Sequence, residues 1–573
     1  MREKSHIADL CIIGGGLSGV CAAIAAARRG LRVVLMQDRP VLGGNASSEI
    51  RMWICGAHGE NMRETGILEE IQLENLYRNP DANFSIWDSI LYEKVKAETN
   101  ITLLLNCVCV NCEMDGNKIV SIRGYQLTNE TWHTVTAQFF ADCSGDSVLA
   151  PLTGAEYRVG REAQAEFDES IQPIEADKKT MGMSILFQIR ETSSPKTFIP
   201  PSFAYKYESD AAFPFKSLKW RNHDTKTNFW WIEVGGEDDS IHDTEEIKDE
   251  LIKIAFGVWD HMKNHGDHGC ENWMLEWFGF LPGKRESRRY VGDYVMTQND
   301  VLSQGKFDDL IAYGGWTLDD HPPAGFYHDG LPSAHHAAPS PFCIAYRCLY
   351  SKNIENLFFA GRNISVSHAA LSATRVMATC SLLGQTVGTA AAIAVHKSLS
   401  PRGVYETEVR ELQKQLMYND CYLPFHKREV SELTRLAATD TPVLQNGHDR
   451  PHCGQDNIYI GELGHDITYS FDENKKITAF RIIFDSNLNR KLLNMPCNYP
   501  LNMPGRYVPA TMIKSFAIQI SSDGTNFTEI YRENNNYQRH VQIPINCTAQ
   551  HVRLIPLETW GDTKARIFSW DII

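Results

Sequence analysis

The sequence has no surplus of positive charge: 56 lysines and arginines face 71 aspartates and glutamates, a formal net charge of −15. Nucleic acid and anionic lipid are bound by clustered cations that displace counterions, so neither is an expected partner. A cysteine framework is lacking too. The 15 cysteines are odd in number and fall singly in apolar runs such as Leu10 to Ile13 and Ile344 to Leu349, the usual setting of buried thiols. A reducing, cytoplasmic compartment fits that pattern. Cys107, Cys109 and Cys112 form C-x-C-x-x-C, but no second cluster completes four ligands and no metal is expected. There is no internal repeat and no low-complexity tract. The run Leu10 to Ala27 is uncharged like a membrane span or signal peptide, yet Gly14, Gly15, Gly16 and Gly19 interrupt it. A glycine cluster is costly in an isolated helix, so the run reads as strand, turn and helix and no membrane association is expected.

What is present begins at that turn. Asp9 to Ile13 reads as a buried strand, Gly14 to Gly19 satisfies G-x-G-x-x-G, and Val20 to Arg29 continues as an alanine-rich helix before a second strand, Leu31 to Met36. Gly14 permits the tight turn, Gly16 lets a pyrophosphate approach the backbone, and Gly19 lets the helix pack on the strand. The phosphate charge then meets the helix amino end at Leu17 and Ser18. An acidic residue normally ends the second strand and holds the ribose. Here Gln37 stands in that place with Asp38 beside it, and a glutamine amide also bonds a hydroxyl.

Arg39-Pro40-Val41-Leu42-Gly43-Gly44-Asn45 follows at once. With this second glycine pair the sequence resembles the glutathione-reductase-like FAD flavoproteins, and the resemblance implies FAD as cofactor. It places Ile101 to Val110 as a strand contacting adenine near Val108. It makes Phe139 to Asp146 a strand ending in a small-residue turn, Ser144-Gly145-Asp146, under the nucleotide. It also makes Asn356 to Asn363, with Gly361 and Arg362, the strand that returns to the cofactor domain. A long helix from about Ser372 to Val395 then points its amino end at the flavin, with Thr374 and Arg375 at its start. Ser48, Glu49, Arg51, Cys55 and His58 approach the ring in the same comparison, Cys55 and His58 being open to a covalent bond.

Between the two halves, Trp230, Trp231, Trp273, Trp277, Phe278, Trp316 and Phe326 form either a platform for a sugar or ordinary core. The run Pro282 to Arg289 resembles a motif of a large FAD-dependent oxidoreductase subgroup often encoded near carbohydrate-degrading enzymes. Its arginines, Arg289 among them, grip a carboxylate or polarise an oxygen, or Glu286 neutralises them in a structural ion pair. Trp316 to Gly325 is a proline- and glycine-bearing loop whose His321 is either catalytic or a surface residue, and His335 and His336 follow. His368 precedes the helix expected at the flavin and is the first candidate for proton transfer, with His321 and His336 as alternates.

From about Glu429 the texture changes to short alternating strands: Ile477 to Asp485, Ser515 to Ser522, Phe527 to Arg532, His540 to Ile545, His551 to Leu557 and Arg566 to Ile573. Their order resembles discoidin-like, galactose-binding-like modules. These bind glycans through loop aromatics, for which Tyr499, Tyr507, Tyr537 and Trp560 are available, or serve as structural sandwiches.

The fold class expected is an α/β FAD-binding Rossmann-like domain with an inserted α+β substrate domain and a C-terminal all-β sandwich. Its divisions fall at 1–155 and 346–400 for the FAD domain, 156–345 for the insertion, 401–428 for a helical linker and 429–573 for the sandwich. The expected function is FAD-dependent oxidation of a carbohydrate or related polyol, with a small-molecule or oligosaccharide substrate and an electron acceptor that the sequence does not name. Two alternatives are a redox-neutral hydrolase or lyase that oxidises its sugar transiently, and a glycan-binding protein with a structural flavin.

Overall fold

The computed structural model describes residues 2–573 except 217, 219, 220, 222 and 453. Six strands open the chain: β1 (Arg2–Ile13), β2 (Val33–Met36), β3 (Ile101–Leu104), β4 (Cys107–Asp115), β5 (Lys118–Gln126) and β6 (Thr131–Asp142). β3, β2, β1 and β6 lie side by side and parallel, and β4, β5 and β6 form an antiparallel meander. The first half of the outer edge of β6 is taken by β5, and the second half by the returning strand Leu357–Phe359, which pairs in parallel. The end of β1 is buried without interruption, as a strand covered on both faces requires. The Rossmann-type sheet expected from the sequence is therefore present. The expected adenine strand Ile101 to Val110 is instead two strands, β3 and β4, with Asn106 between them at a φ of 52°.

Helix α1 (Leu17–Ala27) leaves the glycine turn and is buried along its whole length. The helix Met377–Lys397 packs against it. A Cβ at Gly384 would stand 2.0 Å from the carbonyl of Ser18, and one at Gly388 would stand 2.2 Å from that of Ala22, so only glycines permit this approach. Among the described residues this is the one helix long and apolar enough to cross a membrane, and 94% of its apolar window is buried in the protein. Packing accounts for its composition. The single helix expected from about Ser372 to Val395 is broken into His368–Thr374 and Met377–Lys397, with Arg375 and Val376 at the break.

The insertion consists of small sheets about the helix Thr244–Asn264. Met183–Ser184 pairs with Glu233–Val234 and Gly283–Lys284, and Phe187–Glu191 pairs with Trp273–Phe278. Phe187, Phe229, Trp231, Trp259 and Phe326 fill their common core.

The described residues fall into two compact units whose limits differ from the boundaries read in the sequence. The first runs to Ala57 and adds Ala82–Leu412 and Leu493–Gly505; the second is His58–Asp81, Gln413–Leu492 and Arg506–Ile573. The insertion shares a unit with the nucleotide sheet, and each unit recruits a segment distant in sequence.

The second unit is all-β in its sheet, as expected. Six antiparallel strands follow the order Tyr459–Glu462, Lys564–Ile572, Ile467–Phe484, His540–Thr559, Ile513–Ser521, Thr528–Glu533. Hydrogen bonding is continuous, and the register shifts of Ile467–Phe484 at Ser470/Lys475 and Ile477/Ala479 bend it. The expected separate strands His540 to Ile545 and His551 to Leu557 are one strand of this sheet. Tyr469, Phe480, Ile482, Phe516, Val552 and Trp570 make the core. Of the four expected loop aromatics, Tyr499 belongs to the first unit, where it is buried beneath Arg190. Tyr537 stacks on Tyr77 at 4.1 Å with Trp560 edge-on to the same ring, and Tyr507 is exposed.

Candidate active site

The glycine turn is built as the sequence requires. Gly14 has a φ of 101°, and a Cβ there would lie 2.5 Å from the backbone of Cys143. The second glycine pair docks on the first: Gly43 N–H donates to the Gly15 carbonyl at 2.8 Å, and a Cβ on Gly44 would come within 3.1 Å of the Gly16 Cα. A Cβ on Gly16 would meet only Gly44, at 3.9 Å. Helix α1 starts at Gly16 with no side-chain cap and no acidic residue in its first turn. Uncapped amides beside glycine backbone suit a pyrophosphate.

The returning connection has a matching feature. Arg362 Nε, Asn363 Oδ1, Ser365 Oγ, Thr374 Oγ1 and Arg375 Nε are all buried without a protein partner. Buried polar groups are normally satisfied, so this run offers a donor and acceptor set to a polar cofactor. The helix Met377–Lys397 likewise begins uncapped at Val376. These residues and the two glycine turns fit FAD.

Several residues assigned to the cofactor are held by the protein itself. Gln37 Oε1 accepts from Gly15 N–H at 2.6 Å, so this side chain braces the glycine turn, and Asp38 is exposed. Ser48 N–H donates to Asp88 at 3.1 Å, and Asn45 Nδ2 donates to the Lys284 carbonyl at 3.2 Å. Arg51 lies between the rings of Phe84 and Trp277, 4.4 Å from each. Asp146 accepts from Arg362 at 2.6 Å and from Lys284 at 2.9 Å, and Ser144 Oγ bonds Asp142 at 2.6 Å. Arg39 stands 3.5 Å from Glu49, and Val108 is 45% exposed. Ser18 Oγ reaches the Ala360 carbonyl at 3.4 Å, just before Gly361. Burial raises the Cys55 thiol to about 12, so it is protonated at neutral pH, and His58 falls in the other unit.

Two of the candidate histidines, His368 and His321, are buried and held by carboxylates. Ser367 caps the short helix His368–Thr374, accepting from Ala370 N–H, and the His368 N–H donates to Glu162 at 2.9 Å. The ring is held at both nitrogens: Nδ1 is 2.8 Å from Glu286 and Nε2 is 3.1 Å from Asp320. Burial opposes a charge there, but these two carboxylates outweigh it and lift the pKa to about 10.

His321 is buried, against the surface alternative. Its Nδ1 is 2.6 Å from Glu233, and its Nε2 is 3.4 Å from Asp319. Burial again works against protonation, and Glu233 together with Asp319 raises the pKa above its ordinary value. Arg285 reaches Glu233 at 3.3 Å, and Arg375 donates to the Asp319 carbonyl at 3.0 Å. Trp230 meets the His321 ring edge-on, with centroids 5.5 Å apart.

The remaining candidates separate. Arg289 is buried between Glu162, at 3.2 Å, and Glu286, at 3.5 Å, which is the ion-pair alternative rather than a substrate grip. It backs His368 through their shared carboxylate. His336 is exposed on the strand Ala334–His336, and its neighbour His335 is the one that reaches Asp319, at 3.3 Å. The aromatic residues do not make one platform. Trp231, Trp273 and Phe326 are core with Phe278 packed against them, Trp277 covers Arg51, and only Trp230 and Trp316 stand at the His321 site. Glu233 was not singled out in the sequence, although an acid within the apolar run Trp230-Trp231-Ile232-Glu233-Val234 is the signal that finds it.

The sequence model of the family described as FAD dependent oxidoreductase matches residues 9–416. No curated protein matches the sequence. Three solved structures are similar in part. A geranylgeranyl bacteriochlorophyll reductase-like protein from Thermoplasma acidophilum is 11% identical over 73% of this chain and 86% of its own, with a TM-score of 0.34. The myxobacterial chondrochloren halogenase, an FAD-dependent enzyme, is 15% identical over 34% of this chain and 46% of its own, with a TM-score of 0.23. The family 32 carbohydrate-binding module of EndoD from Streptococcus pneumoniae is 14% identical over 26% of this chain and 90% of its own, with a TM-score of 0.19.

Proposed function

Because the chain belongs to the family of FAD dependent oxidoreductases, we propose that it oxidises a hydroxyl-bearing carbon of a carbohydrate or related polyol, with His321 receiving the hydroxyl proton. The observation that carries this reading is the buried Glu233–His321 pair, with 2.6 Å between Oε2 and Nδ1. A carboxylate on one ring nitrogen fixes the orientation of the imidazole and turns the other nitrogen toward the reacting group. At His321 that other nitrogen, Nε2, has only the long 3.4 Å approach to Asp319. At His368 both nitrogens are taken more closely, which makes it a fixed cation rather than a proton carrier.

FAD, when bound, supplies the hydride acceptor. The chain's own residues orient the substrate and accept its proton. Asp319 and Glu233 offer acceptors to sugar hydroxyls, Arg285 and Arg375 offer donors, and Trp230 supplies an apolar wall for C–H faces. A hydroxyl-rich ligand meets that mixture of groups better than an apolar alcohol does.

The test is anaerobic titration of the flavin with a panel of sugars and polyols beside apolar alcohols of similar size. Bleaching by members of the first group alone supports the reading. Bleaching only by apolar alcohols, or by none of the panel, contradicts it.

A further inference from the structure

Within the inserted region, three imidazoles and one carboxylate converge. Asp210, His223, His261 and His268 each present one ligand atom, and all four atoms lie within 4.8 Å of one another. His261 Nε2 is 3.0 Å from Asp210 Oδ1 and 3.0 Å from His268 Nε2. The ring centroids of His223 are 4.9 Å from His261 and 4.7 Å from His268, and the last two are 4.7 Å apart. Four ligands at about 2.0 to 2.1 Å around a tetrahedral ion stand roughly 3.3 Å from one another. His261 Nε2 already stands at about that separation from two of the other ligand atoms, and the wider pairs, up to 4.8 Å, close on the ion by side-chain rotation.

Hydrogen bonding explains why the group is more than a patch of histidines. His261 Nδ1 donates to the Tyr207 carbonyl at 2.6 Å, which leaves Nε2 as the ligating nitrogen. Metal-binding histidines are oriented in this way by a carbonyl or carboxylate on the far nitrogen. The Nε2 lone pair then faces the Asp210 carboxylate, an acceptor opposite an acceptor. Both ring nitrogens of His223 are shielded from solvent and have no hydrogen-bond partner. A cation at the centre takes one ligand atom from each of the four residues, one nitrogen of His223 among them.

We propose that Asp210, His223, His261 and His268 bind one Zn2+ ion in a structural site. Three imidazoles and a carboxylate suit zinc better than Mg2+ or Ca2+, which take oxygen ligands in larger number. The four positions explain what the ion does. His261 belongs to the last turn of the helix Thr244–Asn264, and His268 follows that helix. Asp210 and His223 lie on the stretch between Glu191 and Glu233, Asp210 at the start of the short 3-10 helix Asp210–Ala212. The ion ties that stretch to the helix, just before it delivers Trp230 to its site. From the cysteine run alone no metal is expected; these four ligands are spread from 210 to 268 and match no short motif.

The experiment uses the full-length, FAD-loaded protein, stripped with a chelator and titrated with Zn2+, and with Co2+ as a spectroscopic probe. The expected result is one Zn2+ per chain, a tetrahedral Co2+ spectrum and a melting temperature that rises with Zn2+ concentration. His223→Gln and Asp210→Asn, made separately because both residues lie outside the α-helices and strands, should each weaken binding at least tenfold with the flavin retained. Absence of stoichiometric Zn2+ uptake, or wild-type affinity in both variants, would overturn the assignment.

Discussion

Asp319 and Asp320 are chain neighbours that face different histidines: Asp320 lies 3.1 Å from His368 Nε2, and Asp319 lies 3.4 Å from His321 Nε2. They end the short strand Leu318–Asp320, in which successive side chains point to opposite faces. One strand thus divides two similar imidazoles between two roles. His368 is locked between Glu286 and Asp320, whereas His321 is braced by Glu233 and keeps its second nitrogen more lightly held.

Replacing His321 with Asn removes the proposed base and preserves approximate shape. The rate of flavin reduction by substrate should fall by about 10²- to 10⁴-fold, the usual contribution of a positioned acid or base. Bound FAD should remain, because no cofactor contact is assigned to this side chain. Anaerobic stopped-flow measurement checks both points, and an unchanged rate contradicts the assignment.

His368 makes stability depend on alkaline pH. In the folded protein its pKa is near 10, against 6.5 for an unperturbed imidazole. Its stabilising effect is therefore complete below about 6.5 and is lost as pH rises through about 10. The melting temperature should fall across that interval, and fall less steeply in His368→Gln. That variant also breaks the pair of His368 with Asp320 and leaves Glu286 to Arg289 alone, a change that costs about 3 to 5 kcal/mol when a buried pair is broken.

Two glycines of the first βαβ unit should respond differently to alanine. At Gly19 a Cβ would stand 1.9 Å from the Gly14 carbonyl, so Gly19→Ala displaces the turn and FAD content should fall at least tenfold. At Gly30 a Cβ meets nothing within 4 Å, although φ is 84°. Gly30→Ala should cost about 1 kcal/mol of backbone strain and keep its flavin. Chromophore content and thermal unfolding distinguish the two.

The parts of this protein legible in its sequence are those encoded by neighbours. The turn Gly14 to Gly19, the docked pair Gly43 and Gly44, and the returning strand at Leu357 each carry their signal within a few residues. The histidine sites were half legible. His321 and His368 stand in conspicuous loops, but their partners Glu233 and Glu286 are 88 and 82 residues away, and only folding joins them. Composition could not show that Gln37 turns back to Gly15 instead of outward, or that Tyr499 leaves the β-rich unit. The helix break at Arg375 was hidden for a different reason, since no proline or glycine marks it.

The pH dependence of substrate-driven flavin reduction in wild type and Glu233→Gln tests the central pair most directly. A base must be unprotonated to accept a proton, and Glu233 helps to raise the pKa of His321 above 6.5. The wild-type rate should therefore fall, as pH is lowered, through a value above 6.5. In Glu233→Gln that limb should move to lower pH, because the carboxylate that favours the charged ring is gone. A limb that stays in place, or moves upward, would contradict the assignment of His321 and Glu233.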